Sequence, residues 1–250
     1  SHHLGTKFAT AFNIQYLDQQ NKQQLVHQTS WGVTTRLMGG IIMVHSDDQG
    51  LRLPPNIAPI QIVIVPIFKT DTEAQQVNEC ISQIKHQLKK YSVFVDQDMQ
   101  KSPGWKFNEW EQKGVPIRIE IGPKDLAQNQ VTVFRRDNSQ KAVMPIAEIT
   151  NQIPSILSDI QSALYNQAQQ FMQDHTYHID DWDHFQEIMT TKPGFVYSYW
   201  CGQQDCEEEI KNITKANIRN IPFEQPSSTT GKCIKCGRAS SQQVLFAKSY

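Results

Sequence analysis

The sequence has no long apolar run and almost no excess charge, and both absences limit what the protein can be. Its 24 basic and 25 acidic residues give a formal net charge of −1, so any contact with nucleic acid must be local rather than the attraction of a broadly basic surface. No apolar stretch approaches the roughly 20 residues that cross a bilayer, and the start lacks the pattern of a secretory signal. We therefore expect no membrane span and a cytoplasmic location.

Cysteine is also scarce, at five in 250 residues, but four of the five lie in the last fifth of the chain. They form two close pairs, Cys201-x4-Cys206 and Cys233-x2-Cys236, separated by 26 residues. Two such pairs can place four thiolates around one tetrahedral metal. In a reducing compartment the spacing favours a structural zinc site over two disulfides or four unrelated thiols. A zinc ion held by four thiolates would have no open position at which to activate water.

The sequence pattern divides the chain into three parts, which we place at residues 1–58, 59–170 and 171–250. The first part is predicted to be β-rich and ends near Pro54-Pro55. The run IQIVIVPIF, from residue 60, predicts a strand buried on both faces of a sheet. Strands and helices then alternate with short links, which is typical of a doubly wound α/β domain. The third part contains the cysteines and a glutamate-rich helix.

Two helix starts can be predicted in the middle part. Thr70-x-x-Glu73 forms a capping box, in which each side chain satisfies a free backbone N–H of the first turn. Ser155, which follows Pro154, is the predicted N-cap of an amphipathic helix that continues to about Gln173.

Thr34 and Arg36 are the first candidate ligand-binding residues. On a strand, alternate positions point to the same face, and this pair follows Ser30-Trp31-Gly32. An arginine can stack on a base or bind a phosphate, and a glycine leaves room for a ligand. The pattern alone favours the plainer alternative, an ordinary exposed strand face.

A second candidate group combines aromatic, acidic and basic residues around positions 107–124. Phe107 and Glu111 lie on a predicted helix, Arg118 lies on a strand whose residues alternate between apolar and charged, and Lys124 follows that strand. Such side chains can stack on unpaired bases and bind their edges. The pattern alone again favours a plainer alternative, a solvated helix beside a charged strand face.

A series of short segments carries a resemblance to a known family. They are SHHLG (1–5), NIQY (13–16), SWGVTTR (30–36), GLRLPP (50–55), GWKFNEWEQKGVPIR (104–118), EIGPKD (120–125), RRD (135–137), the four cysteines and the terminal Ser249-Tyr250. They are similar to the C-terminal half of prolyl-tRNA synthetases of the eukaryotic and archaeal type, which are class II aminoacyl-tRNA synthetases. The likeness covers essentially all 250 residues.

The resemblance implies a fold for each part of this α/β chain. Residues 1–58 would be the end of a class II catalytic domain, which is built on an antiparallel sheet. Residues 59–170 would be a class IIa anticodon-binding α/β domain. Residues 171–250 would be an α+β zinc-binding C-terminal domain, whose terminal Tyr250 carboxylate folds back toward the active site in this family.

The same resemblance implies roles for individual residues in the first part. His2, Trp31 and Gly32 would line the proline pocket. Thr34 would touch the nucleotide, and Arg36 would stack on the adenine of ATP. We identify no general base and no other catalytic side chain in these residues.

In the other two parts, the resemblance implies RNA recognition and metal binding. Phe107, Glu111, Arg118 and Lys124 match positions with which the family reads the anticodon guanines. The four cysteines would hold the structural zinc.

The implied activity is the ATP- and magnesium-dependent conversion of proline to prolyl-adenylate, followed by transfer to tRNA(Pro), in a homodimer. The family's first and second motifs have no counterpart in these residues, so we expect this segment alone to be inactive. Related chains also usually have Gly-Arg at Ala247-Lys248 and glycine at Ser46. The alternative function is a non-enzymatic tRNA-binding module with an anticodon domain and a zinc tail. Coding sequence upstream of Ser1 would distinguish the two.

Overall fold

The computed structural model describes residues 1–226 and 231–248; the predicted docking of Tyr250 lies outside these residues. The first of three consecutive groups of elements consists of two small antiparallel sheets and two helices. Its elements are β1 (His2–Gly5), α1 (Lys7–Phe12), β2 (Gln15–Leu17), β3 (Gln23–Leu25), β4 (Gln28–Ser30) and α2 (Arg36–His45).

The predicted strand through Thr34 and Arg36 is not present. β4 ends at Ser30, Thr34 lies in the following coil, and Arg36 is the first residue of α2. The apolar run after Arg36 is long enough for nearly three helical turns, and periodicity alone cannot distinguish a short buried strand from a helix. The interpretation of these two residues as neighbours on one strand face was therefore wrong.

The second group forms a five-stranded mixed sheet in the order β6-β5-β7-β8-β9. β5 pairs in parallel with β6 and β7, whereas β8 and β9 are antiparallel. The elements are β5 (Ile62–Pro66), α3 (Asp71–Gln87), β6 (Val93–Val95), α4 (Pro103–Gln112), β7 (Ile117–Ile121), α5 (Pro123–Ala127), β8 (Gln130–Arg135), β9 (Lys141–Pro145), a 3₁₀ turn (Ile146–Glu148) and α6 (Ile149–Asp174).

Helices cover both faces of this sheet, as the buried strand pattern predicts. Ile62 and Ile64 of β5 pack with buried residues of α3 and α6, such as Ile84 and Ile153, on one face. Val63 and Val65 pack against Trp110 of α4 on the other face. The predicted capping box at the start of α3 is confirmed: Thr70 Oγ1 accepts from the Glu73 N–H, and the Glu73 carboxylate accepts from the Thr70 N–H.

α6 begins earlier than the sequence predicted. It starts at Ile149, so Ser155 is not its N-cap and Pro154 lies inside the helix. The proline leaves the carbonyl four residues earlier without its usual N–H donor. Ile149 and Ile153 are fully buried, and their packing keeps the first turns helical despite that loss. Strand β9 was also not predicted.

The third group is a four-stranded sheet in the order β10-β11-β15-β12, with a two-stranded hairpin beside it. α7 and α8 contribute Phe185 and Ile210 to its core, where they meet Val196, Val244 and Phe246 of the sheet. The elements are β10 (Thr176–His178), α7 (Trp182–Thr191), β11 (Phe195–Tyr199), α8 (Gln204–Thr214), β12 (Ala216–Asn220), β13 (Gly231–Lys232), β14 (Ala239–Ser240) and β15 (Gln243–Lys248).

Within residues 1–226 and 231–248, none of the helices combines the length and apolar character that a membrane crossing requires.

Candidate functional site

Arg118 is a charged side chain in the interior of the central sheet, where only 3% of the residue is exposed. It lies on β7, on the face that α4 covers, with Val63 of β5 and Phe134 of β8 as its strand neighbours. The guanidinium carbon is 4.3 Å from the centroid of the Phe107 ring and 4.2 Å from that of Phe134. Two aromatic rings thus contact the planar cation, an arrangement that arginine accommodates better than lysine.

Two carboxylates neutralise this buried cation. Nη1 of Arg118 donates to Oε1 of Glu111 at 2.8 Å and to the Phe107 carbonyl at 3.2 Å. Nε and Nη2 both donate to Oε1 of Glu120, at 3.0 and 2.9 Å. Lys141 donates to Oε2 of Glu120 at 3.0 Å. Because each charge has an opposite charge within hydrogen-bond distance, the electrostatic gain offsets the desolvation of the arginine.

The structure therefore corrects the plainer interpretation, in which a solvated helix lay beside a charged strand face. The side chains of Arg118 and Glu120 are only 3% and 10% exposed, because α4 lies over them. The sequence reasoning missed Glu120, Phe134 and Lys141. Alternation along β7 places Glu120 on the Arg118 face and could have identified it, whereas the other two come from strands whose register cannot be read from the sequence.

A buried ion pair fixes α4 over the sheet. Nζ of Lys106 donates to the Asp96 carbonyl at 3.0 Å and lies 3.3 Å from Asp96 Oδ1. Nε1 of Trp110 donates to Asp96 Oδ2 at 2.8 Å. Burial raises the pKa of Asp96, but hydrogen bonds from Trp110, the Asp98 N–H and Lys106 outweigh burial and lower the pKa. Asp96 is therefore charged at neutral pH and holds the helix that carries Phe107.

Lys124 lies away from the other three predicted anticodon residues. It is exposed on α5 and lines a cleft of about 430 Å³ together with Phe68, Lys69 and Glu73. This cleft lies beyond the C-terminal end of β7, whereas Arg118 is the second residue of that strand. The structure thus brings three of the four residues together and places Lys124 at a separate position.

The predicted proline- and ATP-site residues lie around the β1–β4 sheet and the start of α2. His2 pairs with Ser30 across this sheet, next to Trp31 and Gly32. Trp31 is 80% exposed, and the four other predicted residues of this site are exposed as well. The β1–β4 pairing thus brings the start of the chain close to the segment of Trp31 and Gly32, and the roles of these residues in binding stay predictions.

The four cysteines of the third group converge on one point. Their Sγ atoms all lie within 4.8 Å of one another, and Cys201 Sγ is 3.7 Å from Cys236 Sγ. Four sulfurs at about 2.3 Å from a tetrahedral ion would be roughly 3.8 Å apart. Cys201 follows β11, Cys206 lies on α8, and Cys233 and Cys236 lie in the turn between β13 and β14. This thiol set and its spacing fit a metal ion.

The thiols have unequal proton affinities. A hydrogen bond from the Arg238 N–H lowers the pKa of Cys236 to about 7, whereas burial raises the pKa of Cys206 and of Cys201. A bound cation would favour the thiolate form of all four, since the thiolate is the form that coordinates.

Two families match separate parts of the chain. The family described as "Anticodon binding domain" matches residues 61–156, which contain the Arg118 cluster. The family described as "Prolyl-tRNA synthetase, C-terminal" matches residues 182–250, which contain the cysteines. The chain therefore carries the anticodon-binding and C-terminal domains of prolyl-tRNA synthetases. Its fold is the mixed α/β fold of these synthetases, with an anticodon-binding domain.

Individual relatives agree with this assignment. The chain is 45% identical over 250 residues to a proline–tRNA ligase of Clostridium novyi and 46% identical to one of Lachnoclostridium phytofermentans. It covers 52% and 51% of those two proteins. It therefore spans about half the length of the curated relatives that it matches.

Two solved structures of a prolyl-tRNA synthetase from Cryptosporidium parvum are also similar to the whole chain. One is a complex with halofuginone and AMPPNP, with a TM-score of 0.90 and 35% identity over 53% of that chain. The other is a complex with L-proline and AMP, with a TM-score of 0.89 and 37% identity over 54% of that chain. These similarities extend over residues 1–60, which neither family match covers.

Proposed function

We propose that this chain is the anticodon-reading and C-terminal part of a proline–tRNA ligase, together with the end of its catalytic domain. The observation that carries the proposal is the cluster of Phe107, Glu111 and Arg118, which places a ring, a carboxylate and a guanidinium side by side. These three groups supply a stacking surface, an acceptor and donors for an unpaired base.

The chemistry of the cluster suits guanine. The Watson–Crick edge of guanine carries two neighbouring N–H donors and the acceptor O6. Glu111 Oε2 has no hydrogen-bond partner among the described residues, and this carboxylate can accept from the N–H groups. Arg118 can donate to O6, and the half-buried ring of Phe107 can stack on the base. Lys124, in its separate cleft, would contact the second anticodon guanine or its phosphate.

The first part of the chain would contribute to proline activation. A carboxylate oxygen of proline attacks the α-phosphorus of ATP, and the bond to the β-phosphate breaks, which gives prolyl-adenylate and pyrophosphate. A hydroxyl at the 3′ end of tRNA(Pro) then attacks the prolyl carbonyl carbon and releases AMP. In this scheme His2, Trp31 and Gly32 line the proline pocket, Thr34 donates a hydrogen bond to the nucleotide, and Arg36 stacks on adenine.

The cysteine cluster would hold zinc in a structural role, because four thiolates leave no open coordination position. Cys201, Cys206, Cys233 and Cys236 come from three separate segments, so the ion would connect β11, α8 and the β13–β14 turn. Magnesium would accompany ATP as a substrate of the whole enzyme. The whole enzyme would act as a homodimer in the cytoplasm, as the family likeness suggests.

The substitution Glu111→Gln in the full-length synthetase tests the anticodon proposal, because it keeps the shape of the side chain and removes its charge. We expect kcat/KM for tRNA(Pro) to fall roughly 10- to 100-fold, in line with about 1–3 kcal/mol for a base contact. Proline-dependent pyrophosphate exchange should stay within about twofold of the parent enzyme.

Glu109→Gln is the matched control, since this residue lies on the same helix but pairs with Lys101 and Lys113 instead. An equal fall in both activities of the Glu111 variant would make its role structural.

A second variant, Arg36→Ala, should abolish most pyrophosphate exchange. Normal exchange in that variant would remove Arg36 from the ATP site.

A further inference from the structure

Arg136 joins the anticodon cluster to the segment that carries Arg36, although it belongs to neither site. It directly follows β8 and is 2% exposed. Its Nη1 and Nη2 donate to the two carboxylate oxygens of Asp47, at 2.8 and 2.5 Å. Its Nε donates to the backbone carbonyl of Glu111 at 3.0 Å. One buried guanidinium therefore binds the backbone of Glu111, whose side chain contacts Arg118. It also binds Asp47, which lies 89 positions before Arg136, near the end of the first part of the chain.

The backbone makes the same connection. The Leu51 N–H donates to the Gln112 carbonyl at 3.0 Å, and the Leu53 N–H donates to the Gly114 carbonyl at 3.2 Å. A Cβ at Gly50 would lie 2.5 Å from the Gln112 Cα, so the two segments are in direct backbone contact. The segment after α2 is thus fixed to the C-terminal end of α4, one to three residues beyond Glu111.

A rigid element completes the path to Arg36. Asp47 lies two residues after the last residue of α2, and Arg36 is the first residue of that helix. The ten residues of α2 correspond to roughly 15 Å at 1.5 Å per residue. Any displacement of the C-terminal end of α4 would therefore reach the start of α2 through one ion pair and one helix.

We propose that Arg136 and Asp47 are positioning residues that couple occupancy of the anticodon cluster to the placement of Arg36. This inference rests on the proposed function of both sites. A guanine bound by Glu111 and Arg118 would shift the position of the C-terminal end of α4. Arg136 would transmit that displacement to Asp47. Arginine is needed because its fork binds both carboxylate oxygens and the carbonyl at once, which lysine cannot do.

The test uses Arg136→Lys and Asp47→Asn in the full-length synthetase. Each variant should lower kcat for aminoacylation of tRNA(Pro) at least fivefold, with KM for the tRNA and tRNA-independent pyrophosphate exchange both within about twofold of the parent. With a tRNA whose anticodon guanines are replaced, the variants and the parent should have the same low kcat. In that case no guanine occupies the anticodon cluster, so Arg136 has no effect of binding to pass on to Asp47.

Arg135→Lys is the matched control. Arg135 binds Asp137 through a similar two-bond pair, at 3.1 and 2.9 Å, but the two residues are neighbours in sequence and connect no separate segments. This control should retain the parent kcat. If exchange and aminoacylation fall together, if KM alone rises, or if nothing changes, the coupling is refuted. A parent enzyme that fails to charge tRNA(Pro) would refute the proposed function instead.

Discussion

At the scale of single residues, Arg118 shows how a charge can occupy the interior of a sheet. The α4 face of β7 would ordinarily be apolar, and an isolated guanidinium there would be strongly unfavourable. Glu111 and Glu120 supply the opposite charges, and Phe107 and Phe134 cover the flat faces of the cation. The residue therefore contributes to the domain's stability as well as to the proposed recognition of guanine.

Removing Arg118 should consequently destabilise the chain. Arg118→Ala leaves Glu111 without its cation and Glu120 with Lys141 alone, and we expect the free energy of unfolding to fall by about 3–5 kcal/mol. Urea denaturation followed by tryptophan fluorescence, to which the buried Trp110 of α4 contributes, measures this change. Lys113→Ala removes a more exposed pair, with Glu109 on the same helix, and should cost less than about 1 kcal/mol. Equal effects of the two substitutions would contradict the buried network.

Asp47 gives a pH dependence with a defined sign. The hydrogen bonds from Arg136 lower its pKa from 3.8 to about 2. A carboxyl group whose pKa is lowered by folding stabilises the protein above the unfolded pKa, and this stabilisation is lost as the pH falls through the folded pKa.

The stability difference between the parent chain and Asp47→Asn should therefore be constant above about pH 4 and shrink as the pH falls to about 2. Urea midpoints of both proteins, measured at several pH values from 6 to 2, test this expectation. A difference that does not depend on pH would show that the pair with Arg136 does not form in solution.

At the scale of elements, the sequence predicted most reliably what local chemistry determines. The capping box at Thr70, the buried strand β5 and the helix that carries Phe107 and Glu111 depend on neighbouring residues and were found. The start of α6 was missed, because tertiary packing of Ile149 and Ile153 overrides the local signal of Pro154. The partners of Arg118 on β8 and β9 were missed because strand register depends on residues far apart in sequence.

The cysteine cluster is an element-scale feature whose convergence the spacing did predict. We expect the purified chain to contain about one zinc ion, and Cys236→Ser to lose it, while Cys80→Ser retains it, since Cys80 lies on α3. Elemental analysis measures both. Metal-free protein with the cysteines oxidised in pairs would contradict the zinc proposal.

Chelation of the metal should loosen the third group of elements alone. Amide hydrogen exchange should accelerate in β11, which Cys201 follows, and in α8, which carries Cys206. The ion connects these two segments, so its removal frees them from each other. Amides of β5 and β7 should remain protected, since a separate core surrounds them. Uniform loss of protection would show that the two cores unfold together.

At the scale of the whole molecule, the three groups of elements differ in how completely they bury their apolar residues. The second and third groups have large cores. In contrast, α2 exposes much of its apolar surface, for example 61% of Leu37, 62% of Met43 and 58% of Val44. The predicted ATP and proline residues lie on β1, in the coil after β4 and at the first residue of this helix, whereas the anticodon cluster lies on a sheet with a buried core on each face. The anticodon proposal can therefore be tested with the chain as it is.

The most direct test of the central proposal, that the Arg118 cluster reads guanine, is the affinity of this chain for tRNA at one fixed salt concentration. We predict that tRNA(Pro) binds at least roughly tenfold more tightly than the same tRNA with its anticodon guanines replaced by adenines. Glu111→Gln should remove this preference, and Glu109→Gln should retain it. Equal affinity of the parent chain for both tRNAs would contradict the account.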